Sequence, residues 1–110
     1  MRMSIAIKAL GALAHETRLT IFRTLVQVGE PGLPAGQLAK ELNIPNATLS
    51  FHLKELTYAE LVIARQESRF IYYSANFETM NGLLGYLTEN CCAGIPCSPV
   101  EVCCDEKNNS

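Results

Sequence analysis

Apolar residues recur at intervals of three and four along most of this chain, and at intervals of two in one short region after residue 60. Ile5, Leu10 and Leu13, with the alanines between them, predict a short helix ending near Ala14. Leu19, Phe22, Leu25 and Val26 form the stripe of a second helix over Glu16–Val28, with His15 or Thr17 as its cap. The run Gly29-Glu30-Pro31-Gly32 breaks the pattern. Pro34 suits the first turn of a helix over Ala35–Leu42, whose Leu38 and Leu42 face inward. Asn43-Ile44-Pro45 then makes a tight turn with Ile44 buried, and Asn46 is a good N-cap for a helix running to about Ala59. Two helices joined by so short a turn carry the signature of a helix-turn-helix.

The period-two region predicts two strands, Leu61–Gln66 and Phe70–Ser74, that turn back at Glu67-Ser68. A hairpin directly behind a recognition-like helix is a wing. A last helix is expected over Phe77–Glu89, capped by Asn76, with Met80, Leu83, Leu84 and Leu87 as its apolar stripe. The expected fold is therefore mainly α with a small β-hairpin, a winged helix-turn-helix. At 110 residues the chain has room for one such domain, covering residues 1–90, and a tail of different composition over 91–110.

In the helix from Asn46 to Ala59, a rotation of about 100° per residue puts Leu49, Leu53 and Leu56 on one face, which packs inward. The other side carries Ala47, Phe51, Lys54 and Tyr58, flanked by Thr48 and Ser50. Small residues let a backbone approach base edges, hydroxyls bond bases or phosphates, and Ala47 or Thr48 can touch a thymine methyl. Asn46, Ala47, Thr48, Ser50, Phe51, His52 and Lys54 are thus the candidate DNA contacts of the helix. His52 lies between the two faces and reads equally as a phosphate or base contact or as a packing residue. Arg65, Gln66 and Arg69 are placed at or beside the hairpin tip, within reach of phosphates or the minor groove.

Charge neither supports nor excludes this reading. The net charge is −2, but residues 1–85 carry eight basic and seven acidic side chains, while residues 86–110 carry one Lys and four acids. No run of 18 apolar residues and no cleavable leader stands in the sequence, so a cytoplasmic protein with no membrane partner is expected. Nor does any acid pair, phosphate loop or Cys-His arrangement suggest an enzyme. All five cysteines, Cys91, Cys92, Cys97, Cys103 and Cys104, fall in the last 20 residues. An odd number without a leader argues against a disulfide framework.

Two segments carry a resemblance to a known family. Ala9-Leu10-Gly11-Ala12-Leu13-Ala14-His15-Glu16-Thr17-Arg18-Leu19 is similar to the LADxTRLxIL stretch of the ArsR/SmtB metal-responsive repressors, with His15 where Asp is usual. Thr48-Leu49-Ser50-Phe51-His52-Leu53-Lys54-Glu55-Leu56 resembles their VSxHLxxL stretch, and the wing ends in Tyr72-Tyr73. The resemblance runs from Ile5 to Cys97. It implies a homodimer joined through the first and last helices, bound to a partly palindromic double-stranded operator and released by an inducer. The wing departs from it, because Glu67-Ser68 stand where members often have Gly.

Within that resemblance the position of the sensor is informative. The stretch Leu33–Leu42 lacks the Cys-x-Cys of one common site, and the last helix lacks the His and Asp pairs of a zinc site. Glu89-Asn90-Cys91-Cys92-Ala93-Gly94-Ile95-Pro96-Cys97 looks like the arsenite-responsive branch with cysteines at the end of the last helix. A soft, three-coordinate As(III) centre selects thiolates, which fits Cys91, Cys92 and Cys97. Adjacent cysteines diverge by about 100° on a helix, so the helix must unwind to present both sulfurs together. Gly94 and Pro96 supply that break. Antimonite, a methylated trivalent arsenical, a soft cation such as mercury, cadmium or lead, and thiol redox or persulfide chemistry remain alternatives for these thiols. Cys103 and Cys104 are assigned to auxiliary capture or to no role. A thiol metal carrier that binds no DNA is the rival of a different class.

Overall fold

The computed structural model describes residues 1–90; the cysteines and everything assigned to the tail lie outside the described residues. Five helices and a three-stranded antiparallel sheet follow one another among the described residues, and the sheet order is β1-β3-β2. The expected helices and wing are all present, and one strand was not foreseen.

Helix α1 (Met3–Leu13) buries its alanines rather than its large side chains. Ala6, Ala9 and Ala12 face the protein, which lets the α1 backbone lie close to its neighbours, while Met3, Ile7 and Leu10 stay exposed on a face at i, i+4 and i+7. Helix α2 (Glu16–Val28) is capped by His15, whose Nδ1 accepts the Thr17 backbone N–H at 3.2 Å. Its buried face is Ile21, Phe22 and Leu25. Leu19, expected in that stripe, is 43% exposed. It lines an apolar groove shared with Leu13, Phe22, Val26, Leu61 and Leu83.

The unforeseen strand is β1 (Leu33–Pro34), which pairs Leu33 with Tyr73 and Pro34 with Tyr72. Its approach depends on Gly32, which has φ +71 and lies so close to β3 that a Cβ would fall 2.3 Å from the Tyr73 carbonyl oxygen. Pro34 is the N-cap of α3 (Ala35–Leu42), one residue before the first turn it was expected to occupy. Leu38 is fully buried and Leu42 partly so.

Helix α3 ends on Asn43, at φ 55 in the left-handed region. The Asn43 N–H bonds the Lys40 carbonyl and the Ile44 N–H bonds the Ala39 carbonyl, a Schellman pattern that an Asn tolerates well. Helix α4 (Asn46–Tyr58) starts one residue earlier in its bonding than the Asn46 cap would place it. The Pro45 carbonyl already accepts the Leu49 N–H at 2.9 Å, so Pro45 is the cap and Asn46 the first helical residue. The far end repeats the Schellman pattern, with Glu60 at φ 63, its N–H on the Thr57 carbonyl and the Leu61 N–H on the Leu56 carbonyl. That cap consumes Leu61, which is why β2 (Val62–Glu67) begins a residue later than expected.

Strand β3 (Phe70–Ala75) pairs with β2 from Val62↔Ala75 to Glu67↔Phe70. The turn is therefore Ser68-Arg69, not Glu67-Ser68. Ser68 has φ 60, a positive value at the first turn residue alone, which is the φ pattern of a type II′ turn. Helix α5 (Phe77–Leu87) is capped by Asn76, whose Oδ1 accepts the Thr79 N–H. It stops at Leu87, short of the expected Glu89, where the Thr88 hydroxyl bonds the Leu84 carbonyl. Ile21, Leu25, Leu38, Leu49, Leu53, Leu56 and Leu61 are the largest fully buried side chains, so the core lies where α2, α3 and α4 meet.

Candidate nucleic-acid interface

The inward stripe Leu49, Leu53 and Leu56 fixes how α4 is rotated, and this decides what it presents outward. Asn46, Ala47, Thr48, Ser50, Phe51, Lys54 and Tyr58 are all exposed. The first turns of the helix thus offer an amide, two hydroxyls and a methyl, beside backbone N–H groups whose partial positive charge favours phosphate. Phe51 is 55% exposed, a large apolar surface left facing solvent.

Behind α4 the wing stands on the same side of the molecule. Ser50, Lys54, Thr57 and Tyr58 of α4 face Ala64 and Tyr73 of the sheet across a groove of about 590 Å³. Gln66 and Arg69 are exposed near and in the turn. Arg65 is not at the tip. It pairs with Tyr72 further down the ladder, its Nε 3.0 Å from the Glu67 carboxylate and its Nη2 donating to the Pro31 carbonyl. Its guanidinium also lies over the Tyr72 ring. Those partners tie the wing to the loop after α2 and leave Arg69 and Lys54 as the freer cations of this surface.

His52 is the residue that burial separates from the others, at 7% exposure. The Arg18 side chain of α2 reaches it, Nε donating to His52 Nδ1 at 3.3 Å. The ring of His15 lies 4.8 Å from that of His52, and Phe51 packs edge-on against it at 5.4 Å. Burial holds the His52 imidazole below its ordinary pKa of 6.5, and the neighbouring His15 and Arg18 push it the same way against Glu55. Sequence reasoning missed Arg18, and it missed Tyr58 and Tyr73 as walls of a groove. Arg18 is 34 positions from His52, and nothing in a linear pattern signals that pairing.

The matches to known proteins agree with this geometry. A helix-turn-helix domain family model matches residues 13–64. An uncharacterized HTH-type transcriptional regulator, YceK of Bacillus subtilis, is 39% identical over 77 residues, 69% of this chain and 76% of that protein. The arsenical resistance operon repressor of the same organism is 36% identical over 81 residues, 74% of this chain and 73% of its own length. The chain belongs to the ArsR-like family of helix-turn-helix transcriptional regulators. Among solved structures, an ArsR-like regulator from Rhodococcus sp. RHA1 superimposes on this family member with a TM-score of 0.69 at 26% identity, covering 83% of this chain and 82% of that one. NolR from Sinorhizobium fredii gives 0.62 at 35% identity, over 78% and 83% of the two chains. As a regulator of this family, the protein uses its winged helix-turn-helix to bind DNA. No helix among the described residues is long and apolar enough to cross a membrane. Among those residues no group of three or more His, Cys, Asp or Glu side chains could hold a metal ion, and the five cysteines lie outside them.

Proposed function

We propose that this regulator is a homodimeric repressor that binds a double-stranded operator through α4 and the wing, and leaves it when trivalent arsenic binds Cys91, Cys92 and Cys97. The observation that carries the DNA half is the exposed face of α4, where Asn46, Ala47, Thr48 and Ser50 stand free beside Lys54 and the wing. Residues 1–90 supply DNA binding and dimerisation, and residues 91–110 take the inducer. Met3, Ile7 and Leu10 of α1 and Leu87 of α5 leave large apolar surface uncovered, which suits a subunit interface through the first and last helices. A dimer places two α4 helices about one DNA turn apart.

The inducer half rests on the chemistry of the thiols and on the likeness to an arsenical resistance operon repressor. Soft As(III) prefers three thiolates to imidazole or carboxylate. These cysteines follow α5 in the sequence, and α5 belongs to the proposed interface, so ligation there can bias the spacing of the two α4 helices. By linkage, DNA then weakens arsenic binding by the same factor. The test is a gel shift on DNA upstream of the protein's own gene, titrated with arsenite, antimonite, a methylated trivalent arsenical, Cd²⁺ and Zn²⁺. Release by arsenite and retention of the complex by Cys91→Ser, Cys92→Ser and Cys97→Ser are expected. Release by Cd²⁺ but by no arsenical would overturn the assignment of the inducer, and loss of DNA binding in all three variants would overturn the division of labour.

A further inference from the structure

The contact between α2 and α4 brings the imidazoles of His15 and His52 together with the Arg18 guanidinium. We propose that His15, Arg18 and His52 form a proton-sensitive latch that holds α4 in its DNA-binding orientation and loosens on acidification, an inference that rests on the DNA-binding role proposed above. His52 is buried and accepts the Arg18 Nε–H at Nδ1, so its own proton sits on Nε2. A second proton must take the Nδ1 lone pair. The Arg18 bond is then lost, and a buried imidazolium faces the Arg18 guanidinium and the His15 ring from the α2 side. On its own helix only Glu55 opposes that charge, and Glu55 is partly exposed. Arg18 also lies 5.9 Å over the Phe51 ring, so the side chain that protonation expels also packs against the outward face of α4.

The sign follows from the direction of the pKa shift. His52 is harder to protonate folded than unfolded, so the unfolded chain binds more protons as the pH falls below about 6.5. The stability supplied by the neutral pair is complete above that pH and is lost progressively below it. Because Nδ1 faces Arg18 and not solvent, the same protonation weakens operator binding. A direct phosphate contact would do the opposite, since an imidazolium attracts phosphate.

Two measurements at constant ionic strength decide this, one of which needs no DNA. The first is the affinity for the upstream duplex relative to a scrambled duplex between pH 8.0 and 5.5, for wild type, His52→Asn and Arg18→Gln. Asn presents an acceptor near the Nδ1 position and does not titrate. The wild-type ratio should fall on acidification, by no more than about tenfold per pH unit per protomer for one proton each, and H52N should flatten the profile whatever its absolute affinity. The second is the melting temperature over the same range with the His52 ring resonance followed by NMR. Wild type should lose more stability in acid than H52N, and R18Q should move the His52 midpoint upward. A wild-type profile retained in H52N overturns the latch, as does a ratio that rises in acid. If no duplex is preferred at any pH, the DNA reading fails by itself, and equal acid losses of melting temperature in wild type and H52N then overturn the latch independently.

Discussion

Single positions in this protein carry unequal burdens. Gly32 has φ +71, and a Cβ there would meet the Tyr73 carbonyl oxygen at 2.3 Å and its carbon at 2.9 Å. Both are backbone atoms of a paired strand and cannot swing aside. Gly32→Ala should therefore cost about 2–4 kcal/mol, read as a lower midpoint in urea denaturation. Lys54 and Arg69, by contrast, lie exposed on the surface proposed to meet DNA. Replacing either with Ala should leave stability unchanged within about 0.5 kcal/mol. The same change should weaken specific and non-specific DNA alike, and flatten the salt dependence of binding by about 0.9 in log–log slope per protomer, or about 1.8 for the dimer. Ser50→Ala should instead narrow the gap between operator and scrambled DNA, because a hydroxyl on the helix face reads bases or positions the helix without adding charge.

The elements depend on how their ends are closed. The recognition helix is closed at its C-terminus by a Schellman pair with Glu60 in the left-handed region, where Gly is favoured. Glu60→Gly should stabilise the protein by roughly 0.5–1 kcal/mol, measured as a rise in melting temperature. The Glu60 carbonyl also accepts the Asn76 Nδ2–H at 3.0 Å, while Asn76 Oδ1 caps α5. One side chain thus joins the end of α4 to the start of α5. Asn76→Ala should cost about 1–2 kcal/mol, and more than a typical exposed cap, because two elements lose their bond together. Hydrogen exchange should then rise in the last turn of α4 as well as in the first turn of α5.

For the whole molecule, the decisive surface is the apolar face of α1. Ile7 is 62% exposed there and Leu87 of α5 is 55% exposed. Ala6, Ala9 and Ala12 hold α1 to its own subunit, so Ile7 is not needed for folding. Ile7→Glu should place a charge in the proposed subunit interface and yield a folded monomer. Sedimentation should show half the wild-type mass, thermal unfolding should stay cooperative, and operator affinity should fall because two half-sites are no longer bound together.

Periodicity by itself determined the helices, the wing and the rotation of α4, because spacings of three, four and two record which side of each element leaves water. Leu49, Leu53 and Leu56 were legible as the inward face for that reason, and Asn46 through Lys54 as the outward one. Contacts between distant segments were not legible. The strand at Leu33–Pro34 is too short to show a period and exists only because Gly32 lets it approach Tyr73. Arg65 reads as a hairpin-tip cation until the ladder places it opposite Tyr72 and beside Pro31. His52 stood between two readings in the sequence, and the arrival of Arg18 and His15 from α2 buried it. Local pattern therefore decides which elements form and how they face. Tertiary packing decides which polar side chains remain free to meet a partner, because burial and pairing depend on residues that no spacing along the chain connects.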